Sequence, residues 1–72
     1  MDCYIELYRS GVQTPFMRLR ECSFQPNEGE LINIERVTYE IVGRSFTVDY
    51  AGTKNQEMRL NLIVREAQMP QI

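Results

Sequence analysis

Three consecutive segments decide the fold of this chain: Glu30-Leu-Ile-Asn-Ile-Glu-Arg-Val-Thr-Tyr-Glu-Ile-Val42, Ser45-Phe-Thr-Val-Asp-Tyr50 and Glu57-Met-Arg-Leu-Asn-Leu-Ile-Val-Arg-Glu66. Apolar and polar side chains alternate along them. In the second segment, for example, Phe46, Val48 and Tyr50 alternate with Thr47 and Asp49. Alternation with a period of two places one set of side chains on each face of a sheet. The segments therefore predict neighbouring β-strands in a small antiparallel sheet with one apolar face.

The residues before these segments predict two further strands, 3–9 and 16–22. The stretch 10–15 between them contains glycine and proline and is typical of a turn. The stretch 23–29 has Pro26, Asn27 and Gly29 and is predicted to be a loop. Phe24 is the large apolar residue of this loop, so we expect it to fill one end of the core.

The alternation slips once in the first of the three segments. Ile32 and Ile34 stand at even positions, whereas Val37, Tyr39 and Ile41 stand at odd ones. A bulge or a short turn at residues 35–36 would restore the register. We expect a tight turn at residues 43–44 and a longer polar turn at 51–56.

The last of the three segments also fits a helix. Leu60, Ile63, Val64 and Ala67 have the spacing of one helical face, and Thr53 or Asn55 could cap its start. The run Leu-Ile-Val and the strand just before it favour a strand instead. The alternative is an α+β fold, a four-stranded sheet covered by a C-terminal helix over residues 55–68.

Short strands spaced 8 to 12 residues apart are typical of a small rolled sheet, so we predict an all-β fold of five to six strands, roll-like or SH3-like. An OB-like barrel and an open twisted sheet are the other candidates. Residues 1–66 would form a single β domain, and the tail 67–72, which contains Pro70, would be frayed.

The composition is that of an ordinary globular domain. With 72 residues the core is small, which makes self-association a reasonable expectation. The chain has neither a membrane-length apolar run nor a signal-like start, so the expected location is the cytoplasm. There we expect Cys3 and Cys22 to be reduced in preference to paired. A net charge of −2 gives no general attraction to nucleic acid or to anionic membranes.

The residue inventory argues against catalysis. The chain has no histidine, which removes the Ser-His and Cys-His arrangements and the usual zinc sites. The four glycines are too far apart for a phosphate-binding loop. Carboxylate pairs such as Glu28 with Glu30 and Glu35 with Glu40 are expected to face solvent. We therefore predict a protein that is not an enzyme and that needs neither cofactor nor metal.

One face of the predicted first hairpin stands out as a candidate binding surface. It would bring together aromatic and arginine side chains, namely Tyr4, Tyr8, Phe16, Arg18 and Arg20. Such residues are frequent in protein interfaces and on surfaces that bind single-stranded nucleic acid. They could also be a second packed face of a barrel. Glu6 and Glu21 weaken the nucleic-acid interpretation, because carboxylates repel phosphates.

Two functional hypotheses follow. The first is a small adaptor, inhibitor or assembly protein, of the kind that phages and other mobile genetic elements encode. It would bind a protein partner or a second copy of itself through an edge strand or through this face. The second is a small barrel that binds single-stranded nucleic acid. Neither hypothesis involves a membrane or a small-molecule substrate.

Overall fold

A computed structural model describes residues 2–20 and 23–67. It contains five strands: β1 (Asp2–Arg9), β2 (Met17–Leu19), β3 (Leu31–Ile34), β4 (Val37–Asp49) and β5 (Glu57–Ala67). The described part of the chain contains no helix. The helix alternative over residues 55–68 is wrong, because β5 occupies this segment and its apolar residues alternate across a sheet.

The five strands form one sheet in the order β2-β1-β5-β4-β3, and the sheet curls into a half-barrel. This confirms the prediction of a small all-β roll. One pairing differs from the antiparallel arrangement that the sequence predicts. Strand β1 runs parallel to β5, with Ile5 opposite Leu60 and Leu7 opposite Leu62. The first and last strands are therefore neighbours at the centre of the sheet.

One of the two irregular points of the long central segment agrees with the sequence prediction, and the other does not. Residues Glu35 and Arg36 have positive φ angles of 48° and 72° and join β3 to β4, which confirms the short turn. Positive φ at both central residues is the signature of a type I′ hairpin turn. The tight turn expected at residues 43–44 is wrong. Strand β4 continues through Gly43, and the pairing with β5 shifts there by one residue as in a β-bulge.

The core lies on the concave face of the sheet. Its buried members come from the three central strands: Ile5, Leu7, Tyr39, Ile41, Leu60, Leu62 and Val64. Side chains of β2, β3 and their flanks pack against them at the margins. The expectation that Phe24 fills one end of the core is wrong. Its side chain is 40% exposed. Its loop runs beside β4, where Arg44 donates to the carbonyl oxygen of Pro26.

The half-barrel is open along one seam. Within residues 2–20 and 23–67, strands contact only their neighbours in the sheet, so β2 and β3 do not meet. The rings of Phe16 and Tyr39 lean towards each other across the concave face, with centroids 5.7 Å apart. In this part of the chain, β2 and β3 are therefore the two edge strands of the sheet.

The described residues give two further findings near the chain ends. Cys3 is disulfide-bonded, so the expectation of a reduced thiol is wrong for this residue, and Cys22 lies outside the described residues. Ala67 pairs with Thr38, which extends β5 one residue past the predicted domain boundary. The rest of the predicted tail, 68–72, is not described. No helix able to cross a bilayer occurs in the described ranges.

Candidate functional site

The convex face of the sheet is organised around a buried carboxylate. Glu6 alternates with Ile5 and Leu7 and so points away from the core, yet it is only 2% exposed. Its Oε2 atom accepts hydrogen bonds from Nε and Nη2 of Arg18, at 3.2 and 2.9 Å. Its Oε1 atom accepts from Arg59 and from the hydroxyl of Tyr8, both at 3.3 Å. A buried charge must be paired in this way, because desolvation of an unpaired carboxylate is expensive.

Further contacts extend this cluster across β1, β2, β4 and β5. Arg59 also pairs with Asp49 at 2.9 Å. The guanidinium of Arg18 lies over the ring of Tyr4 at 4.4 Å, a cation–π contact. Nε of Arg59 is buried without a hydrogen-bond partner among the described residues. We call Tyr4, Glu6, Tyr8, Arg18, Asp49 and Arg59 the Glu6 cluster.

Burial and charge raise the pKa values of the tyrosines and arginines of the Glu6 cluster. Burial raises the pKa of Tyr8, and the charge and hydrogen bond of Glu6 raise it further. The hydrogen bond to Glu6 raises the pKa of Arg18. Burial alone would lower the pKa of Arg59, but the charges of Asp49 and Glu6 outweigh it and the net shift is upward. The tyrosines are thus neutral and the arginines charged at ordinary pH.

The structure brings together three of the five residues predicted as a binding face. Tyr4, Tyr8 and Arg18 lie in the Glu6 cluster. Phe16 does not, because it precedes β2 and turns onto the concave face, where it packs against Tyr39. Arg20 is exposed and takes no part in the cluster. The predicted surface is therefore divided between the two faces of the sheet.

Sequence reasoning missed Glu6 as the centre and Arg59 as a member. The signal for Glu6 was local, since a carboxylate stands between two apolar residues of a central strand. The signal for Arg59 was not local. It reaches Glu6 only because β1 and β5 are parallel neighbours, with Tyr4 opposite Arg59 and Glu6 opposite Asn61.

The outer edge of β3 is a second candidate surface. Ile41 donates its N–H to the carbonyl of Glu30, so Glu30, Ile32 and Ile34 form the hydrogen-bonded pairs with β4. By alternation, the backbone groups of Leu31 and Asn33 point away from β4. No backbone bond from the described loops reaches these two residues. They are therefore available to a further strand.

The edge at β2 is less accessible to a partner strand. It has three residues, follows Pro15, and is held against β1 by the contact between Arg18 and Glu6. Strand β3 carries no charge between Leu31 and Ile34, and Leu31 is 45% exposed. Short length, proline and charge are the usual features that protect an edge strand from pairing, and β3 lacks the last two.

Two other surface features are exposed. Near the end of β4, Phe46 is 50% and Tyr50 67% exposed, and the guanidinium of Arg44 lies 5.3 Å from the Phe46 ring centroid. On the convex face a shallow depression of about 390 Å³ is lined by residues that include Tyr8, Val12 and Ile63. The depression is wide open, and its lining has no buried charged group aimed into it.

The described residues contain no group of three or more acidic or cysteine side chains placed to hold a metal ion. Comparison of the chain with known proteins gives no match to a family model, to a curated protein or to a solved structure. The functional argument therefore depends on the geometry of the surfaces described above.

Proposed function

We propose that this protein is a non-enzymatic protein-interaction module, an adaptor, inhibitor or assembly protein. It binds an extended segment of its partner along the outer edge of β3. The observation that supports the proposal is the pair of outward-facing backbone positions, Leu31 and Asn33, on an uncharged edge strand. Adding a strand to such an edge supplies hydrogen bonds to groups that are otherwise left to water.

The Glu6 cluster supports this choice of edge over the predicted aromatic and arginine face. Arg18 and Arg59 already pair with carboxylates, so a partner would have to compete with Glu6 and Asp49 for them. Breaking a pair that includes a buried carboxylate is costly. The cluster is therefore better suited to holding β2, β1 and β5 together than to exchanging partners.

Selection from a random peptide library on the immobilised protein tests the proposal. Selected peptides should shift the amide NMR signals of Leu31 and Asn33 first. In their sequences, apolar residues should alternate with polar ones. Asn33→Pro removes one outward N–H and leaves the bonds of Ile32 and Ile34 to β4 in place. We expect this variant to bind the peptides about tenfold more weakly.

The matched control is Asn33→Ala. Both substitutions lose the side-chain oxygen that accepts from the Thr38 hydroxyl, but alanine keeps the backbone N–H. Alanine should therefore change peptide affinity by less than about twofold. Equal losses in the two variants, or shifts that map to Tyr4 and Arg18, would contradict binding at the β3 edge.

The second candidate function is binding of single-stranded nucleic acid. It is favoured by the exposed rings of Phe46 and Tyr50 beside Arg44, since bases stack on aromatic rings while cations neutralise phosphates. A titration with a mixed-sequence oligonucleotide should then shift these residues at low salt and less at moderate salt. If the predicted arginine face is used instead, Arg18→Ala combined with Arg20→Ala should abolish binding. Absence of shifts at low salt would remove this candidate.

A cytoplasmic location stays a prediction, as does an origin in a mobile genetic element. The disulfide at Cys3 is a feature of oxidising compartments, which bears against the cytoplasm. Trapping of free thiols in the cells that make the protein would decide this point. Recovery of Cys3 alkylated by the trapping reagent, and therefore reduced in the cell, would favour the cytoplasm.

A further inference from the structure

We propose that the outer side of β4, beyond the end of β3, is a second strand-binding edge, and that its occupant is an acidic extended segment of a partner protein. The segment has two apolar residues that alternate with polar ones, and it ends in a carboxylate that pairs with Arg44. This inference goes beyond the proposed function, which concerns the edge of β3. It is carried by the backbone groups of Phe46 and Val48 together with the side chain of Arg44.

Strand β4 is much longer than its outer neighbour. It has 13 residues, whereas β3 has 4 and pairs only with residues 37–40. The loop before β3 adds backbone bonds to Ile41. Among the described residues, no backbone bond reaches the outer side of β4 beyond Ile41. The second half of β4 is therefore an edge of the sheet as well.

The bonds of Ile41 define which residues of β5 face β4. Ile41 bonds on its outer side with the loop before β3, so it does not bond with Val64, its neighbour across β5. Bonding alternates along an antiparallel pair. In β5 the odd-numbered residues therefore face β4. The register shift at Gly43 does not change this alternation, because β5 is paired without a gap along its whole length.

Beyond the bulge, this alternation fixes the outward residues of β4. Ser45, Thr47 and Asp49 stand opposite odd-numbered residues of β5 and bond to them. Phe46 and Val48 therefore point their N–H and C=O groups away from β5. Their side chains are 50% and 44% exposed, on the side of the sheet that holds the core. A strand added here would gain backbone bonds and would cover exposed apolar surface.

The charge beside this edge indicates an acidic occupant. Arg44 lies two residues before Phe46, with its guanidinium 5.3 Å from the centroid of that ring. Its Nη1 atom donates to the carbonyl oxygen of Pro26 and to the side-chain oxygen of Asn27, which are both uncharged. No acceptor among the described residues bonds its Nε or Nη2, and no carboxylate among them pairs with it.

These two nitrogens form one side of the guanidinium, and a carboxylate can accept from both. Arg18 binds Glu6 through the same pair of nitrogens. Side chains on one face of a strand repeat every second residue. The segment therefore places its apolar residues beside Phe46 and Val48, and its carboxylate lies at the end towards Arg44.

Two observations favour a peptide strand over the single-stranded nucleic acid of the second candidate function. A peptide backbone supplies donors and acceptors for Phe46 and Val48, which is the basis of strand addition. A nucleic acid brings a phosphate with each nucleotide and needs several cations. Beside Arg44, the loop that bonds Ile41 exposes Glu28, which repels phosphates. This balance of charge suits a single carboxylate better than a row of phosphates.

Amide NMR titration with short capped peptides tests the inference. In the probe peptide, two valines alternate with threonines and glutamate stands at one end. The matched peptide has lysine in place of glutamate. Each peptide is made in both sequence directions, and the tighter direction is compared. The glutamate peptide should shift the amide signals of Phe46 and Val48 and bind about tenfold more tightly than the lysine peptide.

Charge reversal in the protein tests the pairing with Arg44. In Arg44→Glu the preference should reverse, so that the lysine peptide binds about tenfold more tightly than the glutamate peptide. Loss of the contacts to the loop would weaken both peptides alike and would not produce a reversal. The matched control is Arg36→Glu, which makes the same change of charge at the exposed turn beside β3. It should leave the preference for glutamate unchanged within about twofold.

Equal affinities of the two peptides for the natural chain, or an Arg44→Glu variant that still prefers glutamate, would overturn the inference. Shifts confined to Leu31 and Asn33 would also overturn it, and they would leave the proposed function standing. Shifts of Phe46 and Val48 that grow with protein concentration in the absence of peptide would overturn it in favour of a second copy. An oligonucleotide that binds these residues more tightly than the glutamate peptide would overturn it in favour of nucleic acid.

Discussion

The two edge strands of this sheet are held in place by different interactions. Strand β2 is short and is fixed by side chains, since Arg18 pairs with the buried Glu6 and the neighbouring Phe16 packs on Tyr39. Strand β3 is held by its backbone ladder to β4, by the hairpin turn and by the packing of Ile32 and Ile34 against the core, and it carries no charge. The difference teaches that a short edge strand with a charged side chain is protected from a partner strand, whereas an uncharged edge strand is open to one.

The largest effect is expected when the carboxylate that fixes β2 is removed. Glu6→Ala leaves Arg18 without its carboxylate and Arg59 with Asp49 alone, and it opens a cavity beside β1. We expect the free energy of unfolding to fall by about 3 kcal/mol. Chemical denaturation followed by circular dichroism measures this change.

The matched control is Glu40→Ala. Glu40 pairs with Arg65, an exposed residue, at the β3 side of the sheet. Its removal should cost about 0.5 kcal/mol. Equal effects of the two substitutions would mean that the Glu6 cluster does not fix β2.

The next largest effect concerns the packing of the β2 end. Phe16→Ala removes the ring that contacts Tyr39 and carries Arg9 at 4.4 Å above it. Because Phe16 is largely buried against the core, we expect a loss of about 2 kcal/mol of stability. Phe46→Ala is the comparison, and it should cost less than about 0.5 kcal/mol because that ring is half exposed. A larger loss of stability for Phe46→Ala than for Phe16→Ala would mean that the core is packed at the Phe46 end of the sheet and not at the β2 end.

A smaller effect, of opposite sign, is expected at the β3 hairpin. Glu35 and Arg36 both have positive φ, which side chains with a Cβ adopt at a cost. Replacing them with Asn and Gly, the preferred residues of a type I′ turn, should raise the free energy of unfolding by about 1 kcal/mol. Thermal melts measure this gain. A lower stability would contradict the turn geometry.

The smallest effect is a pH dependence at the alkaline end. Burial and Glu6 raise the pKa of Tyr8 above its usual value of 10.0, so the folded chain holds this proton more tightly than the unfolded chain. The stability due to the neutral tyrosine is fully present below pH 10.0 and is lost as the pH rises above that value. Tyr8→Phe should flatten the decline of stability above this pH. An unchanged slope in Tyr8→Phe would mean that the tyrosine does not lie against Glu6.

Much of the fold could be predicted because alternation is a local property. The strands β1 and β5 lie within one or two residues of the predicted ones, and the turn at Glu35 follows from the slip in register. The turn expected at Gly43 failed because glycine suits a bulge as well as a turn. A Cβ at Gly43 would lie 3.4 Å from Cδ1 of Ile63, which is an ordinary contact, so packing does not require glycine at this position.

The candidate site was harder to predict because it depends on which strands are neighbours. Glu6 and Arg59 are 53 positions apart and meet through a parallel pairing that neither segment encodes alone. Phe16 was assigned to the wrong face because it precedes β2, and the alternation of side chains holds only within the strand. The free edge at β3 could not be located either, since an edge is defined by the absence of a neighbour in the assembled sheet.

Amide hydrogen exchange along β3, measured over a hundredfold range of protein concentration, tests the central claim most directly. In the dilute chain, the outward amides of Leu31 and Asn33 should exchange fast, and those of Ile32 and Ile34 should exchange slowly. A bound strand, from a second copy or from a selected peptide, should then slow Leu31 and Asn33 with little effect on the other two. Protection of all four amides in the dilute chain, or no change at Leu31 and Asn33 on binding, would contradict an open edge that serves as the binding surface.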